Sequence, residues 1–236
     1  MKSRPAEFKS WVVDRSRLSG SRSSETRRGL LDSRAQLIKR ILDVIFATAL
    51  LVLALPFALL IALAIVLETP GPVFFVHTRI GKGRRRFRLW KLRSMVVNAD
   101  AVLDQYLKQH PELRSEWSNS HKLKDDPRVT RVGRLLRRSS LDELPQLLNV
   151  LRGDMSMVGP RPIVEDEVPK YGPAFSLYSR VLPGLTGLWQ VSGRNDTSYR
   201  KRTELDSEYI RNWTVWKDLV VLLKTVRVVL FGHGAY

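Results

Sequence analysis

Hydrophobic positions gather first in residues 44–67, VIFATALLVLALPFALLIALAIVL, an uncharged stretch long enough to serve as a membrane helix. Pro56 falls in its middle, where a proline removes a backbone hydrogen bond and costs roughly 3 kcal/mol unless the helix bends. Two readings stay open. In one, the helix turns at Pro56 and leaves by the face it entered, residues 44–55 forming an arm of about 18 Å, enough for one leaflet. In the other, the same residues cross the bilayer as a proline-kinked span.

Beyond Pro70-Gly71-Pro72 the pattern changes to VFFVHTRI, GKGRRR and FRLWKLRSM, two short strands around a glycine turn. Residues 97–117 have a helical but polar pattern. Arg131, Arg134 and Arg138 share one helical face, with Val132, Leu135 and Leu136 turned elsewhere. Near the end, Trp213, Trp216, Leu219, Val220, Leu223, Val226 and Leu230 recur at helical spacing, which fits a core helix and a helix lying in a membrane interface equally well. The pattern as a whole predicts an α+β chain, predominantly helical. Its parts are a flexible basic tail over 1–36, a re-entrant or kinked spanning helix over 37–69, and a compact cytosolic domain over 70–236 with a small β-hairpin and interfacial amphipathic helices.

Charge sharpens the topology. The chain of 236 residues carries 40 Lys plus Arg against 23 Asp plus Glu, a net charge of +17. Basic residues crowd both flanks of the apolar stretch, eleven within 1–40 and eight within 79–93. A single crossing cannot place both flanks on the positive side of a membrane, so re-entry and a monotopic attachment are favoured. The apolar stretch is too long and too late in the chain for a cleavable signal. A basic surface beside it fits anionic lipid at the cytoplasmic face. Nucleic acid is a weaker partner class, because no recognition motif is present. The absence of cysteine excludes thiolate metal sites, disulfides and a cysteine nucleophile, and the four histidines lack metal-site spacing. Gly81-Lys82-Gly83 lacks the spacing of a phosphate loop.

The densest chemistry lies between Ser139 and Pro162, SSLDELPQLLNVLRGDMSMVGPRP. Ser140 with Glu143 has the form of a capping box; with Asp142 as the cap instead, Pro145 falls where its missing N–H is harmless. Either register puts Asp142 and Glu143 at a helix start, where backbone N–H groups favour ionised carboxylates and attract phosphate. One of the pair could then attack phosphorus while the other binds magnesium together with phosphate oxygens. Arg161, between two prolines, offers a fixed fork for phosphate. On the residues alone, a plain helix cap remains an alternative to a catalytic pair.

The run from Arg138 to Pro162 closely resembles the bacterial sugar transferase family, the monotopic polyprenyl-phosphate phosphoglycosyl transferases. Lys39 to Asp43 with Pro56 resembles its re-entrant helix, and Pro70 to Phe75, Arg79-Ile80-Gly81 and Lys91 to Met95 resemble the segment that follows. Pro183 to Arg194 is similar to its later loop, so the likeness runs in order over residues 37–236. It implies transfer of hexose 1-phosphate from a UDP-sugar to undecaprenyl phosphate at the cytoplasmic face of the bacterial inner membrane, initiating exopolysaccharide or related glycan synthesis. By the same resemblance Asp142 is the nucleophile that takes the sugar phosphate and releases UMP, and Glu143 is the partner associated with Mg2+, alongside Asp142. Arg161, Lys91 and Arg93 would be phosphate- or substrate-binding positions, and Ser192, Gly193 and Arg194 would help hold the nucleotide. Leu55-Pro56 departs from the serine that often precedes the family's proline. The resemblance also implies a minimal catalytic form, with an insertion-like helical stretch around 97–120 and the basic tail in place of a multi-span region. Exposed interfacial helices would allow self-association. A non-catalytic basic membrane-surface adaptor is the competing class.

Overall fold

The computed structural model describes residues 29–120, 123, 125–193 and 197–231. Residues 1–28 of the expected tail lie outside the described residues, and from Gly29 onward the chain already belongs to the fold. A 3-10 turn over Gly29–Leu31 buries Leu30 in the main core. Asp32 then caps helix α1 (Ser33–Glu68) by accepting from the Arg34 N–H at 2.9 Å. The boundary drawn at residue 37 is therefore late, because the cap and the buried leucine precede the apolar run.

Helix α1 is 36 residues long and runs through Pro56. By length and composition it could cross a membrane. Both of its ends are packed on the body of the protein: Lys39, Asp43 and Ala47 are buried near the start and Ile65 near the end, yet no residue from 48 to 64 is buried. A core helix of a soluble protein buries a continuous stripe. Here the apolar middle is mostly exposed, with Leu51 and Ile61 packed in part against the core.

Strands β1 (Phe74–Ile80) and β2 (Arg86–Leu92) form the expected antiparallel hairpin, closed by a 3-10 turn over Lys82–Arg84 with Gly83 at φ 68°. Helices α2 (Ala99–Gln109) and α3 (Arg114–Ser120) make up the polar excursion. Helix α4 (Arg131–Ser139) exposes Arg131, Arg134 and Arg138 as expected and buries Leu136, but Leu135 is exposed beside them. Helix α5 (Gln146–Arg152) leads to β3 (Ser156–Val158), and the short helices α6 (Val168–Tyr171) and α7 (Phe175–Tyr178) lead to β4 (Gly184–Thr186).

The β3–β4 pairing is parallel and was not expected from the pattern, because each strand is only three residues and has no alternation to read. Its closeness depends on glycine: a Cβ on Gly184 would lie 2.1 Å from the Gly159 nitrogen. Helices α8 (Tyr199–Arg211) and α9 (Val215–Phe231) complete the fold. The main core draws Ala47 from α1, Leu89 from β2, Leu147 and Val150 from α5, Met157 and Val158 from β3, Tyr209 and Ile210 from α8, and Val221 from α9. Helix α9 fills the core role left open for it and also carries an exposed apolar face. Asp218 and Val221 are buried, whereas Trp216, Leu223 and Val226 are 71%, 70% and 56% exposed on the other side.

Candidate active site

Asp142 and Glu143 lie in a one-turn 3-10 helix, Leu141–Glu143, between α4 and α5. The capping-box expectation is corrected here. Ser140 takes a left-handed conformation at φ 57° and its side chain caps nothing; its N–H returns to the end of α4 at Arg137 O. Helix α5 begins only at Gln146, with Pro145 just before it, so the missing proline N–H is harmless. Within the turn Glu143 N–H donates to Ser140 O, and the following Leu144 N–H donates to Leu141 O. The cation that meets the carboxylates comes from outside this turn.

Lys91 on β2 supplies it. Its Nζ is 3.2 Å from Asp142 Oδ2 and 2.7 Å from Glu143 Oε1, so one ammonium holds both carboxylates. Burial pushes the Asp142 carboxyl above its ordinary pKa; Lys91 pulls it down, Glu143 adds to the rise, and the net direction is up. Burial works against the Lys91 ammonium too, but Glu143 and Asp142 outweigh it and hold its pKa above the usual value. These directions agree: the lysine gains from two anions, while each anion has half a lysine and a like-charged neighbour.

Asn149 sets the meeting of α5 with β2. Fully buried, it donates to Arg88 O at 2.7 Å and to Asp154 Oδ2 at 3.2 Å, and its Oδ1 accepts the Trp90 N–H at 3.1 Å. The bond to Trp90 lies next to Lys91 in sequence, so this amide fixes the strand carrying the lysine against the helix following the carboxylates.

Antiparallel register puts Phe75 opposite Lys91 and His77 opposite Leu89, so Phe75, His77, Arg79 and Lys91 share one face of the hairpin. Arg79 lies within electrostatic reach of both Arg161 and Glu143, linking the predicted phosphate arginine to the carboxylate pair. Arg161 itself lies over the Trp189 ring at 5.8 Å, and Arg202 lies over the same ring at 4.6 Å. Ser192 and Gly193 occupy the exposed turn after Trp189, while Arg194 lies outside the described residues.

Arg93 is turned elsewhere. Its guanidinium is buried at the end of α1, donating to the carbonyls of Pro70, Ile65 and Thr69. It serves the close of a helix, where a cation is favoured. Arg137 was passed over in the sequence and belongs near the pair: its Nε donates to Ser94 Oγ at 2.9 Å and its charge reaches Asp142. Two concavities share Lys82, Gly153 and Leu182 and are lined by none of Asp142, Glu143, Lys91 or Arg161.

The family model for bacterial sugar transferase matches residues 34–232. The chain belongs to this family. Among its relatives, a UDP-galactose-lipid carrier transferase of Erwinia amylovora is 48% identical over 202 residues, covering 86% of this chain and 42% of that protein. Exopolysaccharide production protein ExoY of Sinorhizobium fredii is 48% identical over 198 residues, covering 84% of this chain and 88% of ExoY. A UDP-glucose:undecaprenyl-phosphate glucose-1-phosphate transferase of Caulobacter vibrioides is 44% identical over 206 residues, covering 84% of this chain and 72% of that protein. The chain thus spans less than half of the Erwinia relative.

Within this chain, the run Arg138–Pro162 divides into two kinds of residue. Asp142 and Glu143 face Lys91, whereas Asn149 and Asp154 lock that arrangement in place. Among the described residues no group of three His, Asp or Glu is placed to hold a metal ion. The adjacent hard carboxylates do suit Mg2+, which binds through one or two carboxylates when substrate phosphates supply further ligands.

Proposed function

We propose that this chain transfers hexose 1-phosphate from a UDP-sugar to undecaprenyl phosphate, as the first membrane step of exopolysaccharide or related glycan synthesis. The observation carrying this reading is the buried Asp142 carboxylate, held by Lys91 beside Glu143 within the family's signature run. Relatives named for transfer of galactose or glucose phosphate to undecaprenyl phosphate support the substrate class.

In the first step an Asp142 carboxylate oxygen attacks the β-phosphorus of the donor. The bond from that phosphorus to the bridging oxygen breaks, and UMP leaves with the electron pair. In the second step an oxygen of the lipid phosphate attacks the same phosphorus and Asp142 departs as a free carboxylate. Splitting the transfer lets a soluble donor leave before a membrane-held acceptor uses the same site. Lys91 orients the nucleophile, and Arg161 neutralises phosphate charge developing nearby. Glu143 with Asp142 would hold Mg2+, which when bound supplies positive charge to phosphate oxygens.

Helix α1 and the exposed face of α9 would seat the protein in the cytoplasmic leaflet of the bacterial inner membrane, with Arg131, Arg134 and Arg138 toward anionic headgroups. Phe75, exposed near the start of β1 and paired with Lys91, would give the hairpin face that carries Lys91 an apolar edge for the acceptor's hydrocarbon.

Purified protein supplied with Mg2+, UDP-hexose and undecaprenyl phosphate is expected to release UMP, and Asp142→Asn is expected to lose at least about a thousandfold in turnover. Intact mass spectrometry with donor alone should find one sugar phosphate added at Asp142. Wild-type turnover by Asp142→Asn would remove the aspartate from this role, and a wild-type protein inert toward every UDP-sugar would favour the adaptor reading.

A further inference from the structure

Two buried nitrogens near the carboxylate pair have no partner in the protein, His77 Nδ1 and Arg79 Nε. They belong to alternate residues of β1, and the register puts both on the hairpin face that carries Lys91. Leaving a buried polar atom unpaired costs about 1–3 kcal/mol, and native folds keep few of them. Two such atoms on one face, next to reactive carboxylates, are the arrangement expected where a ligand completes the hydrogen bonds.

The surrounding charge indicates what kind of ligand. Arg79 is loosely held, with its Nη1 3.5 Å from Pro162 O and 3.8 Å from Glu167 Oε2. Arg161 crowds it on one side, and Lys91 and Arg79 both act on His77. Burial, then Arg79 and Lys91, hold the His77 imidazole below its ordinary pKa, so the ring is neutral and has one N–H to donate. A row of cations with a neutral donor in its middle favours an anion with several acceptor oxygens.

We infer that His77 and Arg79 form an anion subsite beside the Asp142–Glu143 pair, binding a phosphate group through His77 Nδ1–H and Arg79 Nε–H. The inference rests on the transferase reading only for the origin of that phosphate, which is either the nucleotide of the donor or the phosphate of the lipid acceptor. In both cases the subsite places the phosphate on the hairpin face shared with Lys91. His77 and Arg79 would thereby add to Arg161 in fixing the reacting group.

The test uses the full chain in lipid nanodiscs, labelled with carbon-13 at histidine Cε1, with His77→Gln assigning the resonance. Inorganic phosphate, UMP and geranyl phosphate are titrated separately across pH. Inorganic phosphate is expected to move the His77 resonance and raise its apparent pKa, since a bound anion favours the imidazolium. A matching response to UMP assigns the subsite to the donor, and a response to geranyl phosphate assigns it to the acceptor. His77→Leu should weaken the responding ester about tenfold, while His77→Gln, which keeps an N–H donor, should recover most of that loss. A His77 ring that ignores all three probes in the wild-type protein overturns the subsite, as does unchanged affinity in a folded His77→Leu protein. The ring titration needs only wild-type protein, so a variant that fails to fold does not protect the idea. If wild type couples phosphate to His77 but releases no UMP from any UDP-sugar, the subsite stands and the transferase reading falls. The converse result removes the subsite alone.

Discussion

Lys91 is one cation divided between two carboxylates, and that division has a consequence for pH. In the proposed mechanism Asp142 must be ionised to attack phosphorus, and its pKa is raised by burial despite the lysine. Activity is therefore expected to fall as pH drops through the raised Asp142 value. Lys91→Met removes the largest influence lowering that pKa, so the acid limb of kcat/KM should move to higher pH, with kcat reduced by about a hundredfold. An acid limb that stays in place or moves downward would show that Asp142 is not the group titrating. At this scale much of the site was legible: Asp142, Glu143 and Lys91 do meet, and Arg161 is linked to them through Arg79. Arg137 was missed because the helical-face argument selected Arg131, Arg134 and Arg138 and left the one arginine whose side chain reaches inward to Ser94. His77 and Arg79 had a readable signal, since they alternate with Phe75 along β1, but alternation alone does not show which face meets the carboxylates.

At the scale of elements, charged side chains close helix ends where the backbone is short of partners. Arg40 of α1 donates to Val150 O at 2.5 Å and Leu151 O at 2.8 Å, neutralising the carboxyl end of α5. Glu68 at the other end of α1 accepts from the N–H groups of Arg131 and Val132 at 2.7 and 2.9 Å, at the start of α4. Between these clamps, Lys39 reaches Asp218 of α9 at 2.6 Å and Asp43 at 3.5 Å, and Asp218 also accepts from Tyr209 Oη and Trp213 Nε1. Asp218→Ala would leave a buried ammonium with only Asp43, strip Trp213 Nε1–H of its acceptor and leave Tyr209 Oη with Val158 O alone. A loss of about 3–5 kcal/mol follows for breaking a buried pair in this way, measurable by urea denaturation in detergent. A change below about 1 kcal/mol would mean that the network is replaced by water and does not hold α1 in place. None of these clamps was legible, because a lone Lys39, Glu68 or Asp218 has a sequence pattern no different from that of a solvated charge. The hairpin, by contrast, was legible from its alternation and its glycine turn, both properties of adjacent residues.

For the whole molecule, the arrangement of α1 decides how the site meets lipid. Charge at its start is clamped to α5 and α9, charge at its end to α4, and all three helices belong to the body that carries Asp142. Between these clamped ends most of residues 48–64 are exposed, with Leu51 and Ile61 partly buried against the core. A spanning helix would need its two ends, and the basic residues around them, on opposite faces of the membrane. In the fold both ends of α1 contact one body, the arrangement a re-entrant helix needs, and basic residues lie on both flanks. The chain has no cysteine, so Arg34→Cys, just inside the start of α1, and Arg85→Cys, at the hairpin turn, each provide a single reporter thiol. In inside-out vesicles an impermeant maleimide is expected to label both, and in right-side-out vesicles neither, until detergent opens the membrane. Labelling of the two positions from opposite faces would require α1 to be pulled off one set of clamps. That outcome would refute re-entry.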